Sequence, residues 1–124
     1  MNHYLALSHA SVLVRDTPTA LAFYCGVLEM PEASGRPDLG YPGAWLTVGA
    51  QQIHLIELPN LDPTTGRPAH GGRDRHIALT IVNLDSLISR LQQAGIAHTL
   101  SRSGRRALFC RDPDGNALEF IETT

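Results

Sequence analysis

The sequence predicts an α+β fold: two βαβββ modules forming a curved mixed sheet, with a concave face on one side and helices outside. The order strand, helix, strands runs twice along 124 residues. Ligand-type side chains stand at matching points of the two halves, with His76 following His9 by 76 − 9 = 67 positions and Glu119 following His54 by 119 − 54 = 65. The strand residues beside these four are mostly small or polar (Ser11, Gln52, Ala78, Thr80, Ala117), while the opposite parity is large and apolar (Val12, Val14, Ile77, Leu79, Ile81). Successive strand residues point to opposite faces, so one face should line a cavity and the other should pack against helices.

Residues 5–15 alternate as a strand. Thr17-Pro18 then reads as a helix start, with threonine at the cap and proline in the first helical position, and Leu21, Tyr24 and Leu28 fall at helical spacing before Pro31. A Gly- and Pro-rich loop, 34–43, leads to strands at 44–48 and 51–58 with Gly49-Ala50 as the hairpin turn. In the second half, 76–82 is a strand. Asp85 or Ser86 is the expected cap of a helix with the stripe Leu84, Leu87, Ile88, Leu91 and Ala94, which Gly95 ends. A short strand at 96–100 follows. Strands 107–110 and 117–121 then flank the turn Asp112-Pro113-Asp114-Gly115. Residues 1–124 are expected to form a single domain, with module one at about 1–58, a linker at about 59–74 and module two at about 75–124. About 60 residues is marginal for independent stability, so the halves should share a core.

Composition narrows the function. A hydrophobic content of 43% and a charged content of 18% describe an ordinary globular chain, and a net charge of −2 gives no reason to expect nucleic acid. All ten cationic residues are arginine, which excludes a Schiff-base or phosphate-loop lysine. Cys25 and Cys110 lie far apart without metal-type spacing and are expected to be buried thiols. The N-terminus has neither a basic stretch nor a long apolar run, and no segment has membrane-spanning length. The expectation is a cytoplasmic protein acting on a small molecule.

Imidazole and carboxylate hold divalent ions while leaving positions open for substrate. His9, His54, His76 and Glu119 are therefore the candidate metal ligands, with Glu119 also the candidate proton carrier. A hydrogen-bonding role beside the metal is the other reading of His54. Glu57 lies on the opposite strand face. His70 falls in the Gly-rich connection, expected to be exposed or to serve as a mobile acid or base. Arg105 and Arg106, in a Ser-Gly loop, are candidates for clamping a substrate carboxylate or phosphate. Solvated loop charge is the alternative.

The two halves, the histidine opening each, the closing segment Asp112 to Glu119, Phe23-Tyr24-Cys25-Gly26-Val27-Leu28 and Gly43-Ala44-Trp45-Leu46 together resemble the vicinal oxygen chelate superfamily, and its glyoxalase-type members in particular. The resemblance spans about residues 5–122. It implies His9, His76 and Glu119 as ligands, whereas His54 stands where glyoxalase I has a glutamate. It implies one divalent ion per site (Zn, Ni, Co, Mn or Fe) and a homodimer in which sites are shared between chains, although a closed monomer with all four ligands in one chain is an alternative. The chemistry implied is that of a lyase or isomerase, with the ion chelating vicinal oxygens and stabilising an enediolate. An extradiol-type Fe(II) dioxygenase is the first alternative, and a drug- or metabolite-binding protein of the bleomycin resistance kind is the second.

Overall fold

The structure is a computed structural model that describes residues 2–123. Met1 and Thr124, inside the expected domain bounds, lie outside the described residues. Strand β1 (His9–Leu13) leads into helix α1 (Thr17–Leu21), which continues as a π-helical segment (Ala22–Val27). The hairpin β2 (Gly43–Val48) and β3 (Gln51–Ile56) completes module one. Module two comprises β4 (His76–Ile81), α2 (Leu84–Gln93), β5 (His98–Leu100), β6 (Ala107–Arg111) and β7 (Ala117–Glu122).

The strands form two mixed sheets, one ordered β1-β3-β2 and the other β4-β7-β6-β5. In each, the first strand of the module pairs in parallel with the last. Module one lacks the counterpart of β5 and is reduced there to a single bridge between Glu32 and Leu46, because the Gly- and Pro-rich stretch 34–43 carries no strand-forming run. β1 and β4 each end a sheet, so their outer edges are free of ladder partners among the described residues.

Both helix caps differ from the sequence expectation. Asp16, not Thr17, caps α1 by accepting from Thr19 N, and Pro18 then sits in the first turn. Asn83, not Asp85 or Ser86, caps α2 by accepting from Ser86 N. In each case the helix begins earlier than expected, capped by the aspartate or asparagine immediately upstream.

The core lies between the helices and the sheets' apolar faces. It joins Val14, Tyr24, Leu46 and Leu55 of module one to Leu84, Leu87, Leu91, Leu108 and Leu118 of module two in one buried cluster. Each such leucine contributes roughly 1.5–3 kcal/mol by leaving water. Val12, Ile77 and Ile81 pack against this cluster, as their parity predicts. Cys110 is buried and its thiol is pushed up to about 12, chiefly by desolvation. Cys25 is only half-buried.

The modules are also tied by polar contacts around the Asp112–Asn116 turn. Tyr24 Oη donates to Asp112 Oδ2 (2.8 Å), Asn116 Nδ2 donates to the Leu13 carbonyl (3.1 Å) and Arg15 N donates to Asp114 Oδ1 (3.0 Å). Glu57, half-buried, accepts from Thr17 N at 2.7 Å.

Candidate metal centre

The four candidate ligands form two pairs, one on each sheet. On β4-β7, His76 Nε2 lies 3.2 Å from Glu119 Oε1. On β1-β3, the rings of His9 and His54 stack with centroids 3.9 Å apart and planes 15° from parallel. Among the described residues of one chain, no three His, Cys, Asp or Glu side chains are grouped closely enough to hold an ion.

The His76–Glu119 pair is held firmly. Glu119 is only 3% exposed, with Phe109 its direct cross-strand neighbour. His76 Nδ1 donates to the Asp74 carbonyl at 2.8 Å, which fixes the tautomer and leaves the Nε2 lone pair facing the carboxylate. Two acceptors then confront one another unless Nε2 carries a second proton or shares a cation with Oε1. A histidine oriented by a backbone carbonyl with its other nitrogen beside a buried carboxylate offers two donors of the kind that divalent ions take.

The carbonyl that orients His76 is itself clamped. Asp74 takes a two-pronged bond from Arg67 (2.7 and 3.0 Å) and a third from Arg111 (2.8 Å), which also donates to the carbonyls of Gly115 and Pro68. The 59–74 connection is thereby fastened to the β6-β7 turn. Its Gly71 lies so close to the sheet that a Cβ would stand 3.3 Å from Phe109 Cβ and 3.4 Å from Ala117 Cβ. The bonds from Arg67 and then Arg111 hold the Asp74 carboxyl well below its ordinary value of 3.8. A carboxylate lowered in this way stabilises the fold above its unfolded value, near pH 4, and the contribution is lost as pH falls further. Asp74→Asn should therefore flatten the acid limb of a denaturation series run from pH 7 to pH 3. It should also weaken metal binding roughly 10–100-fold through His76. Unchanged metal affinity would separate the clamp from the site.

On the other sheet, His54 stands between two rings. Trp45 stacks on its far side with centroids 4.4 Å apart and planes at 8°, giving the order Trp45, His54, His9 across β2, β3 and β1. The register places Trp45 directly opposite His54. Burial first, then the neighbouring His9 and Arg36, lower the His54 pKa from 6.5, so its ring is neutral at physiological pH. Nε2 donates to Gln52 Oε1 at 2.8 Å, leaving Nδ1 as a free lone pair.

The remaining candidates separate. Arg105 Nη2 is 3.4 Å from Glu119 Oε2 and belongs to the site's rim. Arg106 is turned away and held by Glu122 (2.7 Å) and Asp85 (3.0 Å). His70, expected to be exposed or mobile, is half-buried, edge-on to Phe109 at 4.8 Å and bonded through Nδ1 to Thr99 Oγ1 at 2.7 Å. Trp45, Arg36 and Asp74 escaped the sequence reading. Parity could have found Trp45, since it lies two residues from Gly43 on the hairpin facing His54, but Asp74 acts through a main-chain carbonyl that no residue pattern marks.

Comparison with known proteins agrees with this architecture. Residues 6–120 match the family model of the Glyoxalase/Bleomycin resistance protein/Dioxygenase superfamily. Glyoxylase I 4 of Arabidopsis thaliana is 29% identical over 122 residues, covering 94% of this chain and 70% of that protein. Metallothiol transferase FosB of Shouchella clausii is 29% identical over 121 residues, covering 91% and 77%. The crystal structure of a glyoxalase family protein from Bacillus anthracis superposes with a TM-score of 0.82 at 25% identity, covering 100% of this chain and 99% of that one. With a family match over nearly its whole length and the paired-module fold beneath it, the chain belongs to the Glyoxalase/Bleomycin resistance protein/Dioxygenase superfamily.

Proposed function

We propose that the protein is a metal-dependent enzyme of glyoxalase type that acts on a small substrate with two adjacent oxygens, with isomerase or lyase chemistry. The observation that carries this reading is the His76–Glu119 pair, an imidazole nitrogen and a buried carboxylate oxygen 3.2 Å apart with the histidine's other nitrogen already committed. Imidazole and carboxylate suit Zn, Ni, Co, Mn or Fe alike. When bound, such an ion supplies a Lewis acid that stabilises negative charge growing on the two substrate oxygens. Glu119 holds and returns the carbon-bound proton, Arg105 keeps Oε2 directed into the site, and Phe109 limits water beside the carboxylate. The names of two relatives, glyoxylase I and metallothiol transferase, accord with a metal-dependent catalyst.

The complete centre, in this reading, needs two chains. His9 and His54 of one chain meet His76 and Glu119 of the other, because a single chain keeps the two pairs apart. The apolar segment before β1, where Tyr4, Leu5 and Leu7 are 86%, 97% and 77% exposed, accords with this association. Mixing His9→Ala chains with Glu119→Gln chains tests it. Random pairing makes half the dimers mixed, each with one intact site, so activity should return to roughly a quarter of the natural level. Absence of recovery in a mixture shown to contain heterodimers would place the sites within single chains. The same assay run without oxygen separates this chemistry from a dioxygenase, which would stop. Ligand binding that survives chelation, with no turnover, would instead mark a binding protein.

A further inference from the structure

Arginine placement sets one residue apart. The other half-buried arginines each have a carboxylate partner: Arg67 and Arg111 share Asp74, and Arg90 contacts Glu29. Arg36, also half-buried, has none among the described residues. Its Nη2 donates to the Tyr41 carbonyl at 2.9 Å and its guanidinium carbon lies 5.4 Å from the Tyr41 ring centre. Its Nε is closed off from solvent without an acceptor. Native proteins seldom leave a charged donor in that condition.

The position of Arg36 gives this a function. Its Nη2 lies beside Gly43, 3.0 Å from where a Cβ would stand, a Cβ that would meet the Leu55 carbonyl first. Gly43 and Trp45 are two apart on β2 and share a face, the one that carries His54 and His9. That face has no acidic residue. β2 contributes Gly43, Trp45 and Thr47, β3 contributes Gln52, His54 and Ile56, and β1 contributes His9, Ser11 and Leu13. A guanidinium without a counter-ion thus stands beside a flat wall of three rings, on a sheet face whose own strands carry no carboxylate.

We propose that Arg36 forms an oxyanion-binding subsite beside the Trp45–His54–His9 stack, and that the substrate carries a carboxylate or phosphate-type group anchored there. A guanidinium fork suits both anions, since each offers paired oxygens. As a substrate assignment the proposal rests on the metal-enzyme reading above. As a binding site it does not, and the test exploits that difference.

Trp45 is the chain's one tryptophan, so its fluorescence reports on this wall alone. The chelator-treated protein is titrated with inorganic phosphate and, separately, with acetate at constant ionic strength. Saturable change in Trp45 emission is expected with at least one, and the tighter of the two identifies the anion class. Arg36→Gln should weaken that binding by roughly tenfold or more, the usual effect of removing a charge-assisted contact. Arg36→Lys, which keeps the charge but not the fork, should recover part of it and covers the case in which Arg36→Gln folds poorly. Arg102→Gln, which removes an exposed charge from the loop before β6, should bind as the natural chain does. No saturable response to either anion, or equal affinity in the natural and Arg36→Lys chains together with Arg36→Gln, overturns the proposal. Anion binding that persists in a protein found not to bind metal would uphold this subsite while removing the metal-enzyme reading.

Discussion

The Glu119→Gln chain should be as stable as the natural one, yet lose tight binding of divalent metal and about 10²–10⁴-fold in kcat. The reason lies in the geometry of the pair. In the natural chain Glu119 Oε1, on a residue only 3% exposed, lies 3.2 Å from His76 Nε2, the nitrogen that carries the lone pair when the ring is neutral. An amide at position 119 can turn its NH₂ toward that lone pair and make a neutral hydrogen bond, which removes a buried charge and leaves no donor orphaned. Arg105 gives up little, because its contact is long at 3.4 Å and its side chain is 57% exposed. Folding therefore has no need of the carboxylate, whereas an ion and a transferable proton both require it. Metal content after dialysis, read alongside a thermal melt, checks the two halves together. Retention of metal with natural affinity would remove Glu119 from the centre, and a large drop in melting temperature would show the residue to be structural.

The repeat marks the candidate residues, matching His9 with His76 and His54 with Glu119, but not their distribution in space, which pairs His9 with His54 and His76 with Glu119. Alternation along strands is local, so the faces of β1, β4 and β7 could be read from residue parity, and with them the neighbours of His9, His76 and Glu119. The caps went to residues earlier than expected because an aspartate or asparagine just upstream competes for the same N–H groups, and spacing alone cannot rank such rivals. The four candidate ligands fall into two pairs, one on each sheet. That placement depends on contacts between modules that no periodicity records. The roles of Arg36 and Asp74 were hidden for a related reason. Each is defined by what surrounds it, a missing counter-ion in one case and a clamped carbonyl in the other. Arg105 and Arg106 show the same limit from the other side, since adjacent loop residues of one type point to opposite sides of β7's end and only one of them reaches Glu119.

Asp112→Ala should destabilise the protein by about 3–5 kcal/mol, the range expected when a buried hydrogen-bonded network loses its centre. Asp112 is 5% exposed and accepts four bonds. Tyr24 Oη and Asn116 Nδ2 reach Oδ2 at 2.8 Å each, while the main-chain N–H groups of Asp114 and Asn116 reach Oδ1 at 2.9 Å each. Alanine would strand all four donors and also free Asn116, whose side chain ties the turn to the Leu13 carbonyl at the end of β1. For a chain of this size, that corresponds to a fall of roughly 10–20 °C in Tm. Tyr24→Phe should lose less, about 1–2 kcal/mol, because it removes one donor and leaves the turn's own bonds intact. The pH dependence has a definite sign. Burial raises the Asp112 pKa despite the four donors, so the folded state holds this proton more tightly than the unfolded chain does. Its contribution is therefore full below the unfolded value, near pH 4, and declines as pH rises through the higher folded value. That is opposite to Asp74. Denaturation of Asp74→Asn and Tyr24→Phe chains between pH 3 and pH 7 should separate the two carboxyls, with the natural chain's acid sensitivity shrinking in the first and persisting in the second. Equal acid limbs in all three chains would mean that neither carboxyl governs stability in this range, and the link between the modules would then rest on apolar packing alone.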